Sequence, residues 1–253
     1  MTEPLEPLRH PPIDEVACGF IFPAIHDIDA MLLGVYQDQR RDDFPKKQLV
    51  PPITENSVIQ LGMGGPMRGW LISQDDTKLL QIQSDRFYLN WRNRGHDYPR
   101  FKDYLLDKIL KEFSQFGEFC SAKKLPEPKP HSVQLIKIDH LIEGKHWSKD
   151  RGIQEVLPHL ADSIVLDSSV SSFAVRSTKN LPKGSLAVAI QLMHAVDASR
   201  ILVETNCTIP VGGGEHSLRD LLIECDEVLN REFDRLIPRE VRDRVFQSDE
   251  VIH

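Results

Sequence analysis

Apolar and polar positions change period most sharply between Lys78 and Phe116. Leu80 and Ile82 alternate with polar neighbours, the pattern breaks at Ser84-Asp85-Arg86, and it resumes at Phe87, Leu89 and Trp91. After Asn93-Arg94-Gly95 the apolar spacing becomes three and four, through Phe101, Tyr104, Leu105, Ile109, Phe113 and Phe116. A period of two marks a strand with one buried face, and offsets of three and four mark a helix with one buried stripe. The stretch therefore predicts a hairpin or bulged strand that feeds a helix folding back over it. Phe87, Leu89 and Trp91 are expected inward, with Arg86, Tyr88, Asn90 and Arg92 on the solvent side.

The same reading extends to the rest of the chain. Val16, Cys18, Phe20 and Phe22 predict a first strand. Residues Ile28–Gln39 predict a short helix with Met31, Leu32 and Val35 inward and Asp27 as its N-cap. Arg40–Gly65 reads as mostly loop, followed by a strand at Met67–Gln74 and a tight turn at Asp75-Asp76-Thr77. Three prolines at alternate positions in KKLPEPKPH, Lys123–His131, predict an extended connector. Beyond it come a strand at Val133–Ile142 and a short helix at Ile153–Leu160. Strands at Ser169–Thr178, Leu186–His194 and Ile201–Ile209 are expected to form an antiparallel meander. The most regular stripe follows: Leu218, Leu221, Leu222, Cys225, Val228, Leu229, Phe233 and Leu236. Pro238 stops that helix, and Arg239–Phe246 predicts a last short one.

Each half thus reads as strand, short helix, antiparallel strands and long amphipathic helix. The expected fold class is α+β, in two modules whose sheets are each covered on one face by a long helix. The boundaries expected are 1–125, a Pro-rich connector at 126–131, and 132–253.

Composition narrows the function classes. The 253 residues are 40% hydrophobic and 27% charged, values ordinary for a water-soluble globular chain, and no apolar run approaches the roughly 20 residues a bilayer crossing needs. The N-terminus lacks the basic-then-apolar pattern of a secretory signal, so a cytoplasmic location is expected. A net charge of −7 argues against a nucleic-acid partner. Charge is unevenly placed, however. Residues 86–102 carry five basic side chains (Arg86, Arg92, Arg94, Arg100 and Lys102) against Asp97, whereas Glu215–Leu236 carries seven acids against three arginines.

Candidate chemistry is sparse. Four scattered cysteines (Cys18, Cys120, Cys207 and Cys225) read as small buried hydrophobes. The glycines of Val211–Ser217 (VGGGEHS) lack the Lys of a P-loop and the spacing of a dinucleotide loop, so they read as a connector, with Ser217 and Asp220 as a capping pair. Histidines 131, 140, 146 and 159 show no metal-ligand spacing, so neither metal nor cofactor is expected and no catalytic residue is assigned. What remains is the basic, aromatic-bearing row Arg86, Tyr88, Asn90, Arg92, Arg94, Tyr98 and Arg100, whose residue types carry energy at protein interfaces.

Three stretches also carry a resemblance: PPIDEV at Pro11–Val16, the block from Trp70 through DRFYLNWR to Tyr98-Pro99, and the closing LNREFDRLIPREVRDRVF. Over nearly the whole chain the sequence resembles a sporadically distributed bacterial family of uncharacterised proteins. That occurrence is similar to the patchy distribution of defence islands and toxin–antitoxin pairs. The resemblance carries no activity over. With no acid/base or nucleophile constellation in the sequence and the Arg- and Tyr-bearing row at hand, the expected function is a cytosolic interaction protein. The patchy occurrence suggests the accessory or neutralising member of such a gene pair. Readings from other classes are a small-molecule sensor with a ligand between sheet and long helix, and, third, an enzyme. A protein partner is expected. A homodimer is a further expectation, with Arg92, Arg94 and Arg100 facing Glu224, Glu227 and Asp234.

Overall fold

The computed structural model describes residues 8–53, 67–163, 172–194, 198–212 and 216–247. These residues form a mixed α+β structure with nine strands and five α-helices. The strands are β1 (Ile13–Ile21), β2 (Lys46–Val50), β3 (Arg68–Ile72), β4 (Lys78–Gln83), β5 (Arg86–Arg92), β6 (Ser132–Ile142), β7 (Ala174–Leu181), β8 (Gly184–His194) and β9 (Ser199–Pro210). They belong to one antiparallel sheet in the order β2-β3-β4-β5-β1-β6-β9-β8-β7. The helices are α1 (Ala30–Gln39), α2 (Leu106–Ala122), α3 (Pro158–Ser163), α4 (Leu218–Leu236) and α5 (Arg239–Phe246). No helix among the described residues is long and apolar enough to cross a membrane.

The chain divides into two compact units that are discontinuous in sequence. One, the β5 unit, holds Glu15–Ile136 and Thr208–Asp226, so residues 126–131 lie within it. The other, the β7 unit, holds Met1–Asp14, Lys137–Cys207 and Glu227–His253.

In the β5 unit the core lies between the sheet and α2. Phe87 meets Phe113 and Phe116 with ring centroids 5.7 and 5.0 Å apart, and Phe20 meets Phe113 at 4.3 Å. Phe87, Leu89 and Trp91 are buried, as their alternation predicts. Before α2 the chain makes a π-helix at Phe101–Leu105, entered through Arg100 at φ +61. The wider π turn moves side chains off the 3.6-residue stripe, so Tyr104, expected inward, is exposed beside Lys78.

Helix α1 sits differently from its apolar pattern. Met31 and Val35, expected inward, are exposed, and Leu33, Tyr36 and Gln37 are buried instead. Tyr36 is held against Phe116 and Phe119, while the Gln37 amide donates to the Phe44 carbonyl at 3.1 Å. The N-cap is Asp29, which accepts from the Leu32 N–H at 2.8 Å, and not Asp27. Strand β2 arises inside the expected loop. KKQLV carries too short an apolar signal to stand out, and pairing with β3 orders it. A buried ion pair was also unsigned: Glu112 of α2, fully buried, accepts from Arg40 Nη1 at 2.6 Å and meets Lys108 Nζ at 3.0 Å. Burial alone would lower the Arg40 pKa, but the bond and charge of Glu112 outweigh it and raise it.

In the β7 unit the hairpin β7–β8 turns at Pro182-Lys183, and Leu186, Val188, Ile190 and Leu192 point inward together. Leu229 is completely buried on α4, whereas Phe233, expected deep in the stripe, is only half-buried, 6.1 Å from the Phe246 ring. Lys179 of β7 holds Glu232 at 2.7 Å, and Arg242 of α5 holds Asp234 at 2.5 Å. Two charges stand in the buried register of β6: Lys137, which donates to Asn230 at 2.6 Å, and Asp139. In the β5 unit, Ser217 and Asp220 form the expected reciprocal cap: each backbone N–H donates to the other's side-chain oxygen, at 3.1 and 3.2 Å. Of the VGGGEHS loop, residues 213–215 lie outside the described residues, as do parts of the expected strand at Ser169–Thr178 and of the expected loop at Arg40–Gly65.

Candidate functional site: a polar face of the β5 unit

Antiparallel register places opposed residues on one face of a sheet. Arg86, Tyr88, Asn90 and Arg92 of β5 oppose Gln83, Gln81 and Leu79 of β4 on one side and Ile21, Gly19, Ala17 and Glu15 of β1 on the other. Trp70 opposes Gln81 in turn. The face turned away from Phe87 and Leu89 therefore sets the polar row of β5 beside Gln81 and Gln83 of β4, with Trp70 of β3 and Glu15 of β1 at its sides.

The expectation that this row stands in solvent is wrong. Arg86 is 6% exposed, Tyr88 2% and Asn90 2%. The side chains lie along the sheet and bond one another. Gln81 Oε1 accepts from Arg68 Nη1 at 2.8 Å and from Trp70 Nε1 at 3.2 Å, and its Nε2 donates to Asn90 Oδ1 at 2.7 Å. Asn90 Nδ2 donates to Glu15, and the Tyr88 hydroxyl donates to Gln134 of β6. Gln134 Nε2 continues to Thr208 Oγ1 of β9 at 3.0 Å. To reach Gln134, Tyr88 must cross β1, and the crossing is at Gly19. A Cβ there would stand 2.6 Å from Tyr88 Cδ1 and 2.1 Å from the Phe87 carbonyl oxygen. Only glycine admits so close an approach.

The chain leaving β2 returns over the same face. Gln83 Oε1 accepts from the Ile53 N–H at 2.8 Å and Gln83 Nε2 donates to the Ile53 carbonyl at 3.2 Å, as an opposing backbone would. Arg86 is held at both Nε and Nη2 by Asp85, at 2.9 and 2.8 Å. Burial pushes the Tyr88 hydroxyl up to about 12, with Arg86 opposing, so it stays a donor at neutral pH.

At its end this face gives way to a basic loop. Arg92 Nε donates to the Asp76 carbonyl at 3.0 Å, and burial lowers the Arg92 pKa, helped by the charge of Arg94. Arg94 and Arg100 are exposed, while Tyr98 is half-buried with its ring 5.3 Å from Trp91. Gly95 turns the loop at φ +82, its N–H donating to Asn93 Oδ1 at 2.9 Å. The seven residues singled out from the sequence therefore separate by role. Arg86, Tyr88 and Asn90 are internal network members, Arg92 is its margin, and Arg94, Tyr98 and Arg100 belong to the loop.

Glu15, Arg68, Gln81, Gln83, Gln134 and Thr208 were missed. Their signal was present as the polar half of each strand's alternation, but alternation does not reveal that polar residues on separate strands meet. Asp234, expected to face a second chain, is paired within its own by Arg242. No family model, curated protein or solved structure matches this chain.

Proposed function

We propose that the chain is a binding protein, working by contact rather than by catalysis, that offers the loop Asn93–Arg100 to an acidic face of a partner protein. The observation that carries the reading is the exposure of Arg94 and Arg100 on a loop anchored by the bond of Arg92 Nε to the Asp76 carbonyl and by the contact of Tyr98 with Trp91. Preorganised basic groups spend little entropy on docking and steer an acidic partner into register. On the resemblance, that partner is the companion product of a two-gene defence or toxin–antitoxin pair in the bacterial cytoplasm. We read the fold as two modules of strand, short helix, antiparallel strands and long helix, one of which carries the loop.

The test is co-purification from the native host with mass spectrometry. The wild type should retrieve a partner at low salt, and Arg94→Glu/Arg100→Glu should lose it. Retention should also weaken as salt rises, because exposed charges are screened beyond roughly 10 Å at 0.1 M. Equal retrieval by wild type and variant would overturn the reading.

A further inference from the structure

One guanidinium on the polar face of the β5 unit has no counter-charge among the described residues. Arg68, Gln83 and Arg86 form a row across β3, β4 and β5, since Gly69 opposes Ile82 and Gln83 opposes Arg86. Arg86 is neutralised by Asp85, and Gln83 is neutral. Arg68 Nη1 donates to the neutral amide of Gln81, while its Nε is buried without an acceptor. Its Cζ lies over Trp70, 5.4 Å from the ring centroid. A guanidinium this close to an indole gains cation–π attraction and still has N–H donors to offer an acceptor. Burial lowers the Arg68 pKa, and the neighbouring charge of Arg86 lowers it further. A half-buried cation repelled by its neighbour, with a donor unspent, is completed by an anion.

We propose that Arg68, backed by Trp70 and Gln81, anchors a carboxylate, either an acidic side chain of a partner protein or a free carboxylate of the same chemistry. The fork of a guanidinium matches the two oxygens of a carboxylate, and charge-assisted bonds of this kind are about twice as strong as neutral ones. The proposal deepens the reading of the chain as a binder of an acidic partner and rests on it for the source of the carboxylate.

The experiment titrates the purified full chain and follows arginine Nε–H resonances by NMR, with that of Arg68 identified by its loss in Arg68→Gln. Acetate represents a free carboxylate and the peptide Ac-Gly-Glu-Glu-Gly-NH2 a protein one, with chloride at equal ionic strength as control. A saturable movement of the Arg68 signal is expected with both. A tighter curve for the peptide assigns the site to a partner, and equal curves assign it to a small carboxylate. At about ten times the dissociation constant, the folded-to-unfolded ratio should rise about eleven-fold in the wild type. Arg68→Gln should show no such rise. If Arg68→Gln does not fold, Arg68→Lys, which keeps the charge but loses the fork, should bind more weakly. An Arg68 signal that moves no further in acetate or peptide than in chloride overturns the proposal. An acetate-silent Arg68 in a chain that still retrieves a partner through Arg94 and Arg100 overturns the anchor alone. An acetate-responsive Arg68 in a chain that retrieves nothing overturns the partner reading alone.

Discussion

Replacing Glu112 by glutamine removes one charge from the interior of the β5 unit and almost no volume. The carboxylate is fully buried and faces two cations, Arg40 Nη1 at 2.6 Å and Lys108 Nζ at 3.0 Å, whose side chains are 10% and 24% exposed. Arg40 has a further anion, Asp43 at 3.0 Å, but Asp43 is 62% exposed and its attraction is screened by water. In the variant, two cations meet a neutral amide that turns a donor toward one of them. Breaking a buried pair by removing one member costs about 3–5 kcal/mol. Lys108 swings partly into solvent, so the lower end, about 3 kcal/mol, is expected for Glu112→Gln. The double variant Glu112→Leu/Arg40→Met removes both charges and should lose far less than its two single changes combined, because a buried pair can be exchanged for apolar packing at little net cost. Urea denaturation at pH 7, with unchanged m-values, reads all four corners of the cycle. A loss under about 0.5 kcal/mol for Glu112→Gln, as for a surface change, would refute the reasoning, as would additive losses across the cycle.

Gly19→Ala should destabilise by about 3 kcal/mol, the upper end for overpacking, because the new Cβ meets the Phe87 carbonyl oxygen at 2.1 Å. Thermal melting checks it, and adding Tyr88→Ala should not restore stability, since the nearest obstacle is backbone; recovery would show that the tyrosine ring alone demands the glycine. Asp139 gives a pH prediction. Burial raises its pKa to about 7 from 3.8, against the pull of Lys137, so the folded state holds a proton that the unfolded state has released. Its contribution is fully present below pH 4 and is lost as pH rises through about 7, with a ceiling near 4 kcal/mol. Wild type and Asp139→Asn compared by urea titration at pH 5 and pH 8 should therefore differ in slope, the variant losing less on going to pH 8; equal slopes would show that Asp139 does not titrate between them.

Local pattern alone determined much of this protein. The alternation of Phe87, Leu89 and Trp91, the Leu221, Leu222, Cys225 and Leu229 part of the α4 stripe, its Ser217–Asp220 cap and the β7–β8 turn each depend on residues a few positions apart, and backbone geometry converts such spacing directly into a face or an end. Where tertiary contacts outweighed local preference, the pattern misled. Helix α1 turned to bury Tyr36 against Phe116 and Phe119, leaving Met31 outside. Strand β2 formed because β3 offered it an edge. The polar face is the clearest case. Residues such as Arg86, Tyr88 and Asn90 normally face water, and their sequence spacing says only that they share a side. That the side is buried depends on Gln81, Gln83, Glu15 and Gln134 arriving on other strands, and on Gly19 lying where Tyr88 must cross. A hydrogen-bond network is a relation among strands distant in sequence, so no period along one strand encodes it. Only the register of the assembled sheet decides it.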